Sequence, residues 1–323
     1  MIKKASVSIL VGAALTLSSV NGYAKTWVEF GSEYEQYSDQ SQKGAPYNYE
    51  QLNSLTPYIR FFHSPDSNEW NVWGRVFKKH YPNENLYLNN QTTSMTDRAE
   101  LHFTKVIRRG NWRFRPGVGF RYNGYDIDRY EKEYRLYPQV DYFLNSKNQL
   151  FANGHIYMGD SQGKRFNDTV AETYTDWGYE AEFGLIHRIN NVSSIRPHFY
   201  TEYDDFDNNY RINYWQFRLV YSHKIGRSSI HPFIRYGLGR DVTDQPNETV
   251  PNHPDRHGAS RDINYSRFGV YGNIGLSGKW NFIYETYYEF ADFKGYNRDA
   301  PDMTVEYPDR DKYFIKFGIQ RHF

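Results

Sequence analysis

The chain has 323 residues, no cysteine, and 39 Lys and Arg against 38 Asp and Glu. These values exclude a disulfide framework, a thiolate metal site and a cysteine nucleophile, and the lack of a basic tract argues against nucleic-acid binding. After the N-terminal segment no run of 18 apolar residues occurs, so membrane-spanning helices are excluded. Aromatic residues make up 19% of the chain, which is too many for a disordered protein.

The N-terminal segment has the three parts of a secretory signal peptide. Lys3 and Lys4 precede a short apolar run over 8–17, and the small residues Gly22 and Ala24 stand at positions −3 and −1 of a cleavage site. We therefore expect residues 1–24 to be a signal peptide of bacterial type and residues 25–323 to form a single exported domain.

Alternation of apolar and polar residues recurs along the rest of the chain, whereas helical periodicity is almost absent. In the clearest stretch, bulky residues alternate with charged residues and glycine: Trp112, Phe114, Pro116, Val118 and Phe120 against Arg113, Arg115, Gly117, Gly119 and Arg121. This period-2 pattern predicts strands with one apolar face and one polar face.

Short turn signals and long polar segments follow one another in a regular order. The short signals lie at 64–68, 109–111, 145–148, 190–194, 226–229 and 275–278. The long polar segments are 38–50, 81–95, 122–131, 160–171, 205–210, 241–261 and 292–308. Six short turns and seven long loops would join fourteen strands, and this order is typical of transmembrane β-barrels.

The fourteen predicted strands are 26–37, 51–62, 69–80, 96–107, 112–122, 132–144, 149–159, 172–189, 195–204, 211–223, 230–240, 262–274, 279–291 and 309–323. We therefore predict an all-β fold, a transmembrane antiparallel up-and-down barrel with short periplasmic turns and long extracellular loops. Closure is required because an open edge leaves backbone groups unpaired in hydrocarbon. Phe323, at the end of an alternating strand, is similar to the assembly signal of bacterial outer-membrane proteins.

The polar face of the predicted strands carries charges of both signs. The expected pore-lining residues are Arg60, Arg75, Arg98, Arg113, Arg115, Arg121, Arg135, Glu180, Glu182, Arg196, Arg218, Arg235, Arg267, Glu285 and Glu289. Fourteen strands enclose more space than side chains fill, so these residues are predicted to line water. Three alternatives stay open: ion pairs that only stiffen the wall, an arginine track for acidic sugars, and inward aromatic residues that stack on sugar rings.

Two histidines in the longest loop allow several interpretations. His253 and His257 flank Asp255 and Arg256 in a segment that contains prolines. A metal pair at this spacing needs a helix, so solvated histidines are the simplest reading. A loop that responds to pH is the functional alternative, because imidazoles gain charge near pH 6.5. No metal or cofactor is expected.

Several segments resemble the monomeric outer-membrane porin G (OmpG-type) family of fourteen-stranded barrels. They are GFRYNGY at 119–125, NG at 153–154, EAEFGL at 180–185, PFIRYGLGR at 232–240, SRFGVYG at 266–272, YETYYEF at 284–290 and DKY at 311–313. The resemblance implies a single-chain channel for small oligosaccharides, gated with pH by a histidine pair on neighbouring strands and by the sixth loop. The arginine content is also similar to that of porins for acidic oligosaccharides, whose barrels are smaller.

The sequence thus predicts a non-enzymatic porin in the outer membrane of a Gram-negative bacterium, a monomer in contact with lipid and lipopolysaccharide. It would let small hydrophilic solutes diffuse passively, above all oligosaccharides. A channel for uronates is the first alternative. An outer-membrane hydrolase would need His253, Asp255, His257 and Ser260 to act together, and adjacency in sequence does not establish such a triad. A soluble β-rich lectin would lack the rhythm of turns and loops.

Overall fold

A computed structural model of the chain describes residues 25–38, 53–82, 95–125, 130–163, 172–206, 210–243, 260–297, 300–306 and 310–323. The strands are β1 (Lys25–Tyr37), β2 (Ser54–Ser64), β3 (Trp70–Lys78), β4 (Met95–Lys105), β5 (Ile107–Arg109), β6 (Trp112–Tyr125), β7 (Tyr130–Phe143), β8 (Asn148–Gly163), β9 (Glu172–Arg188), β10 (Ser193–Phe206), β11 (Tyr210–Ile225), β12 (Ser228–Thr243), β13 (Ser260–Gly275), β14 (Trp280–Asn297), β15 (Ala300–Glu306) and β16 (Arg310–His322).

The strands form one closed antiparallel ring. From β1 to β14 each ring strand pairs with the next one along the chain, with β4 pairing with β6 past the short β5, and β16 lies between β14 and β1. Fourteen strands make the ring, because β5 only continues the line of β4 and β15 pairs with β14 alone. The predicted fold class and strand number are therefore confirmed.

The ring strands are long enough to cross a bilayer. They contain between nine residues in β3 and eighteen in β14, and a tilted strand needs about 9–11 residues to span the hydrocarbon. Among the described residues, no helix has the length and apolar character to cross a membrane.

One predicted loop is partly wrong. The segment 292–308 was expected to be a polar loop, but β14 continues to Asn297 and β15 folds back on it over 300–306. The extension of β14 beyond its ring neighbour β16, whose pairing ends at Ala291 and Arg310, leaves backbone groups that a returning segment can pair. Polar composition alone does not reveal such a hairpin.

Large apolar side chains are exposed on the outer face of the ring. They come from strands all around it and include Phe30, Leu101, Val118, Leu136, Met158, Phe183, Trp215, Tyr236, Phe268, Ile315 and Phe317. A continuous apolar surface of this kind would be costly in water. Together with closure, it is the arrangement expected where strands contact lipid.

The seam between β1 and β16 depends on two opposed glycines. Gly31 lies directly opposite Gly318, and the ring of Tyr58 passes over both. A Cβ on Gly31 would lie 2.3 Å from the carbonyl oxygen of Phe317 and 2.4 Å from the Tyr58 hydroxyl. Glycine is required here because any side chain would occupy the space that the tyrosine takes.

Candidate functional site: the inner wall of the barrel

The inner face of the ring collects the charged side chains singled out from the sequence. The fifteen residues predicted to line a pore all lie on ring strands, on the face opposite the exposed apolar residues. Alternation places them there, since neighbouring residues of a strand point to opposite faces. The structure also shows which of them contact one another. Their role in permeation stays a prediction.

Glu29 is the most buried charge at the seam. Its carboxylate has no exposed surface and accepts hydrogen bonds from the Tyr58 hydroxyl at 2.7 Å, Arg60 Nη2 at 2.7 Å and Gln320 Nε2 at 3.2 Å. These donors come from β2 and β16, the two neighbours of β1. A buried carboxylate with such partners is satisfied, and here it ties three strands together.

Two further carboxylates of β1 reach past their direct neighbours. Glu33 lies 2.7 Å from Arg75 Nη2 on β3 and 3.5 Å from Lys316 Nζ on β16. Glu35 contacts Lys79 and Lys312, and Lys312 also lies 3.5 Å from Glu289 on β14. The lysines of β16 therefore link the first strand to the last ones.

A second network crosses β4, β6 and β7. Arg121 lies 3.2 Å from Glu100 and 3.6 Å from Glu133. Arg135 Nε donates to Glu133 at 2.8 Å, and Arg98 Nε donates to the side-chain oxygen of Asn123 at 2.8 Å. Charges of both signs alternate across these strands, and such cross-strand pairs stabilise a sheet.

Asp141 forms the centre of a third cluster near the short-turn end. The carboxylate is almost fully buried and lies 2.9 Å from Arg113 Nε and 3.0 Å from Arg115 Nε. Gln149 Nε2 donates to it at 2.8 Å, while Arg115 also donates to Asn153 on β8 at 2.6 Å. One carboxylate thus holds two arginines of β6 against the wall.

The wall formed by β9–β14 is less completely paired. Glu182 contacts Arg218, and Glu289 contacts Arg267. The side chains of Arg196, Arg235 and Glu285 make no hydrogen bond or ion pair with any residue that the structure describes. This part of the inner face therefore carries charges that are available to other groups.

A histidine in the wall was not singled out from the sequence. His102 is buried on β4, its ring stacks on Trp73 with centroids 4.0 Å apart, and its Nδ1 shares a hydrogen bond with the Tyr137 hydroxyl. Its Nε2 lies 3.5 Å from Glu100. Gly119 of the intervening strand β6 makes room for this contact, since a Cβ there would meet His102 Nδ1 at 2.7 Å. The sequence offered one signal for this residue: alternation puts His102 on the polar face of its strand, which faces inward.

The inward aromatic rings pack mainly against charged groups of the wall. Tyr58 has the guanidinium carbons of Arg60 and Arg75 at 5.5 and 5.2 Å from its ring centroid, and Phe77 has Arg75 at 4.7 Å. Tyr287 stacks on Phe314 at 4.5 Å and lies under Arg267 at 4.3 Å, and Trp73 is covered by His102 as described above. Cation–π contacts of this kind stabilise the wall.

The loop histidines His253 and His257, with Asp255, lie outside the described residues. Both the pH-responsive interpretation and the metal interpretation of this loop therefore stay predictions. Within the described ranges, no group of three or more His, Asp or Glu side chains is placed to hold a metal ion.

Comparison with known proteins gives a likeness of architecture only. No family model matches the chain, and no curated protein matches it. Among solved structures, the deltaS2 mutant of the TodX monoaromatic hydrocarbon channel aligns with a TM-score of 0.47 and 10% identity, over 95% of this chain and 92% of that one.

Two further solved structures align in the same way. A FadL homologue of Pseudomonas aeruginosa has a TM-score of 0.46 and 9% identity, over 93% of this chain and 89% of that one. OmpT of Vibrio cholerae, expressed in the outer membrane, has a TM-score of 0.42 and 12% identity, over 94% of this chain and 99% of that one. None of these likenesses bears on a solute or an activity.

Proposed function

We propose that this chain is an outer-membrane porin through which small hydrophilic solutes, above all short oligosaccharides, diffuse passively. The observation that carries the proposal is the contrast between the two faces of one closed ring. The outer face exposes large apolar side chains, whereas the inner face carries arginines and carboxylates. A membrane-spanning cylinder that is apolar outside and charged inside separates lipid from polar solutes.

The width of the ring supports an aqueous interior. About eight strands enclose a space that side chains just fill, and this ring has fourteen. Inner residues also keep surface that is accessible to water, and the Glu180 side chain is 40% exposed. Charges of both signs inside such a space favour polar solutes over apolar ones.

The proposal includes the absence of catalysis. The buried inner carboxylates Glu29, Glu100 and Asp141 each contact arginine at 3.2 Å or less, which suits a structural role better than proton transfer. The ring also closes within one chain through β1 and β16. This closure supports a monomeric channel of OmpG type, located in the outer membrane of a Gram-negative bacterium and surrounded by lipid and lipopolysaccharide.

Recording from planar bilayers tests the proposal. Detergent-refolded protein should produce discrete open steps, and a sample of the same protein heated until the barrel unfolds should not. Liposome swelling with neutral sugars of increasing length then gives the size limit. A folded protein that neither conducts ions nor admits a monosaccharide would contradict the proposal.

A further inference from the structure

Three side chains form a row across the inner faces of β8, β9 and β10. His155 lies directly opposite Glu180, and Glu180 lies directly opposite Glu202. Directly opposite side chains share a face of the sheet, and like charges at such positions destabilise it. The two glutamates therefore require positive charge close to them.

A third carboxylate adds to this negative charge. Asp204 follows Glu202 by two residues on β10, which puts it on the same face, and it is close enough to Glu202 to interact with it electrostatically. Asp204 accepts a hydrogen bond from the Tyr157 hydroxyl at 2.6 Å, and Glu202 accepts one from the Tyr200 hydroxyl at 2.7 Å. These hydroxyls are neutral donors, so they satisfy oxygen atoms without adding positive charge. We call Glu180, Glu202 and Asp204 the acidic cluster.

The acidic cluster has no basic partner among the described residues, because no lysine or arginine there forms an ion pair with it. Three arginines of the wall attract Glu180 from a greater distance. Each of them contacts another carboxylate: Arg121 contacts Glu100, Arg135 contacts Glu133 and Arg218 contacts Glu182. Their charge is therefore balanced nearby, and the acidic cluster keeps an excess of negative charge.

His155 directs an unpaired nitrogen towards the acidic cluster. Its side chain is 7% exposed, and its Nε2 atom lies 4.0 Å from the Glu180 carboxylate. This atom is buried and makes no hydrogen bond within the described part of the chain. The rings of Tyr137 and Tyr157 pack against the imidazole with centroids 5.4 and 6.2 Å away. Buried polar atoms are normally hydrogen-bonded, so Nε2 is an acceptor available to a group bound beside Glu180.

The acidic cluster can be reached from the interior of the ring. The Glu180 side chain lies on the inner face and is 40% exposed, whereas Asp204 is 8% exposed. A metal ion is a poor match, because no group of three or more His, Asp or Glu side chains within the described ranges is placed to hold one. An alkylammonium group instead needs acceptors in three directions, at about 2.7–2.9 Å from its nitrogen.

We propose that Glu180, Glu202 and His155 form a binding site for the primary ammonium group of a cationic solute, such as a short aliphatic diamine. The three N–H donors of this group match the two carboxylates and Nε2 of the imidazole, and hydrogen bonds between charged groups are the stronger kind. Asp204 lies about 7 Å beyond Glu202 along β10, where it can attract the second ammonium group. The inference goes beyond the passage of neutral sugars and rests on the porin function only for an aqueous interior that leads to the site.

Isothermal titration of the folded protein in detergent micelles tests the site without relying on conduction. The probes are 1,4-diaminobutane, 1,4-butanediol as the uncharged molecule of the same length, and calcium chloride as the source of a metal cation. We expect the diamine to bind, the diol to give no heat of binding, and calcium to bind more weakly than the diamine. Glu202→Gln should weaken diamine binding about tenfold, the loss expected for one charged hydrogen-bonded contact.

Three further variants make the result specific. Glu202→Asp keeps the charge on a shorter side chain and should recover part of the affinity. His155→Phe keeps a ring between the two tyrosines but removes the acceptor, and should weaken binding about fivefold. Each variant is first checked for its folded, heat-modifiable mobility on gels.

The matched control is Glu285→Gln. It removes a carboxylate that has no ion pair with any described residue from β14, four strands away from β10 in the ring. The affinity for the diamine should change about twofold at most, because salt screens charges that are far apart.

The outcomes separate this inference from the porin function. Equal affinity of wild type and Glu202→Gln for the diamine overturns the site, as does an equal loss in Glu285→Gln. Calcium that binds as tightly as the diamine overturns the ammonium assignment. A protein that conducts but does not bind the diamine remains a porin without this site, whereas Glu202-dependent binding by a protein that does not conduct supports the site and contradicts the channel.

Discussion

Glu29 and Arg60 lie directly opposite each other on β1 and β2, and Arg60 Nη2 is 2.7 Å from both carboxylate oxygens of Glu29. The carboxylate also receives hydrogen bonds from Tyr58 and from Gln320 of β16. This single side chain therefore joins the second strand to the last one across the first. Its loss should weaken the closure of the ring more than the loss of an exposed inner charge.

Glu29→Ala should lower the free energy of unfolding by about 1–3 kcal/mol, because three donors lose their buried acceptor. Urea unfolding in detergent micelles, followed by tryptophan fluorescence, measures this change. The control is Glu180→Ala, which removes a carboxylate that is 40% exposed and lies 4.0 Å from His155. Its effect should stay within about 0.5 kcal/mol. An equal loss of unfolding free energy in both variants would contradict a particular contribution of the Glu29 contacts to ring closure.

Gly31→Ala should destabilise the barrel by about 1–3 kcal/mol through overpacking. The new methyl group would meet the Phe317 carbonyl oxygen at 2.3 Å and the Tyr58 hydroxyl at 2.4 Å. Gly159→Ala on β8 is the matched control, since the nearest atom to a Cβ there lies at 3.6 Å. The midpoint of thermal unfolding, read from the folded band on gels, compares the two. Tolerance of both substitutions would contradict the close approach at the seam.

Leu136→Arg should impair insertion into lipid vesicles. Leu136 lies at the middle of β7 on the outer face and is 61% exposed, and arginine at the bilayer midplane of a barrel costs about 2–4 kcal/mol. Ile225→Arg is the control, because Ile225 is equally exposed but ends β11 at a short turn, where the cost falls to about 0–1 kcal/mol. Folding yield in vesicles at matched urea concentrations measures both. A larger defect for Ile225→Arg would place the membrane elsewhere on the barrel.

Asp141→Asn should make the channel more selective for anions. The substitution leaves Arg113 and Arg115 without their shared carboxylate. The chloride-to-potassium permeability ratio should rise about twofold, since a unit charge about 8 Å away in water is worth roughly 0.5 kcal/mol. The reversal potential in a potassium chloride gradient reports this ratio.

The opposite substitution on the same cluster provides the check. Replacing Arg113 and Arg115 with serine should shift the reversal potential towards cations. Arg188→Gln, at the exposed turn end of β9 where the side chain contacts only the Ser146 carbonyl among described residues, serves as the control away from this cluster. A shift of the same sign for Asp141→Asn and the double arginine variant would place these side chains off the path of the ions.

The ring itself could be predicted from the sequence. Alternation over 112–121 and its repeats along the chain fixes which residues share a face, because the period of a strand is two. The turns predicted at 109–111 and 226–229 are present in the structure, and they contain Gly110 and Gly226 with φ angles of 55° and 58°. Such backbone angles favour glycine, so the turn positions were encoded locally. The hairpin of β14 and β15 could not be predicted from local sequence, because its pairing depends on how far β14 extends beyond the ring.

The contacts within the wall could not be predicted in the same way. Alternation places Arg75 and Glu33 on the inner face, but their strands are separated by β2, and their contact depends on side-chain length and curvature of the ring. Register decides that Arg235 faces two other arginines. A shift of one strand by two residues would keep every face and change every partner.

The pairing of β1 with β16 has a consequence for the folding of the barrel. Trp27 to Tyr37 pair with His322 to Lys312, so the two ribbons that complete the cylinder are separated by nearly the whole sequence. Until β1 and β16 pair, the growing sheet has two strands with unpaired backbone groups, and these can pair with another copy of the chain. Contacts so distant along the polymer form slowly, and the final docking step is therefore the moment at which assembly is most vulnerable to misjoining.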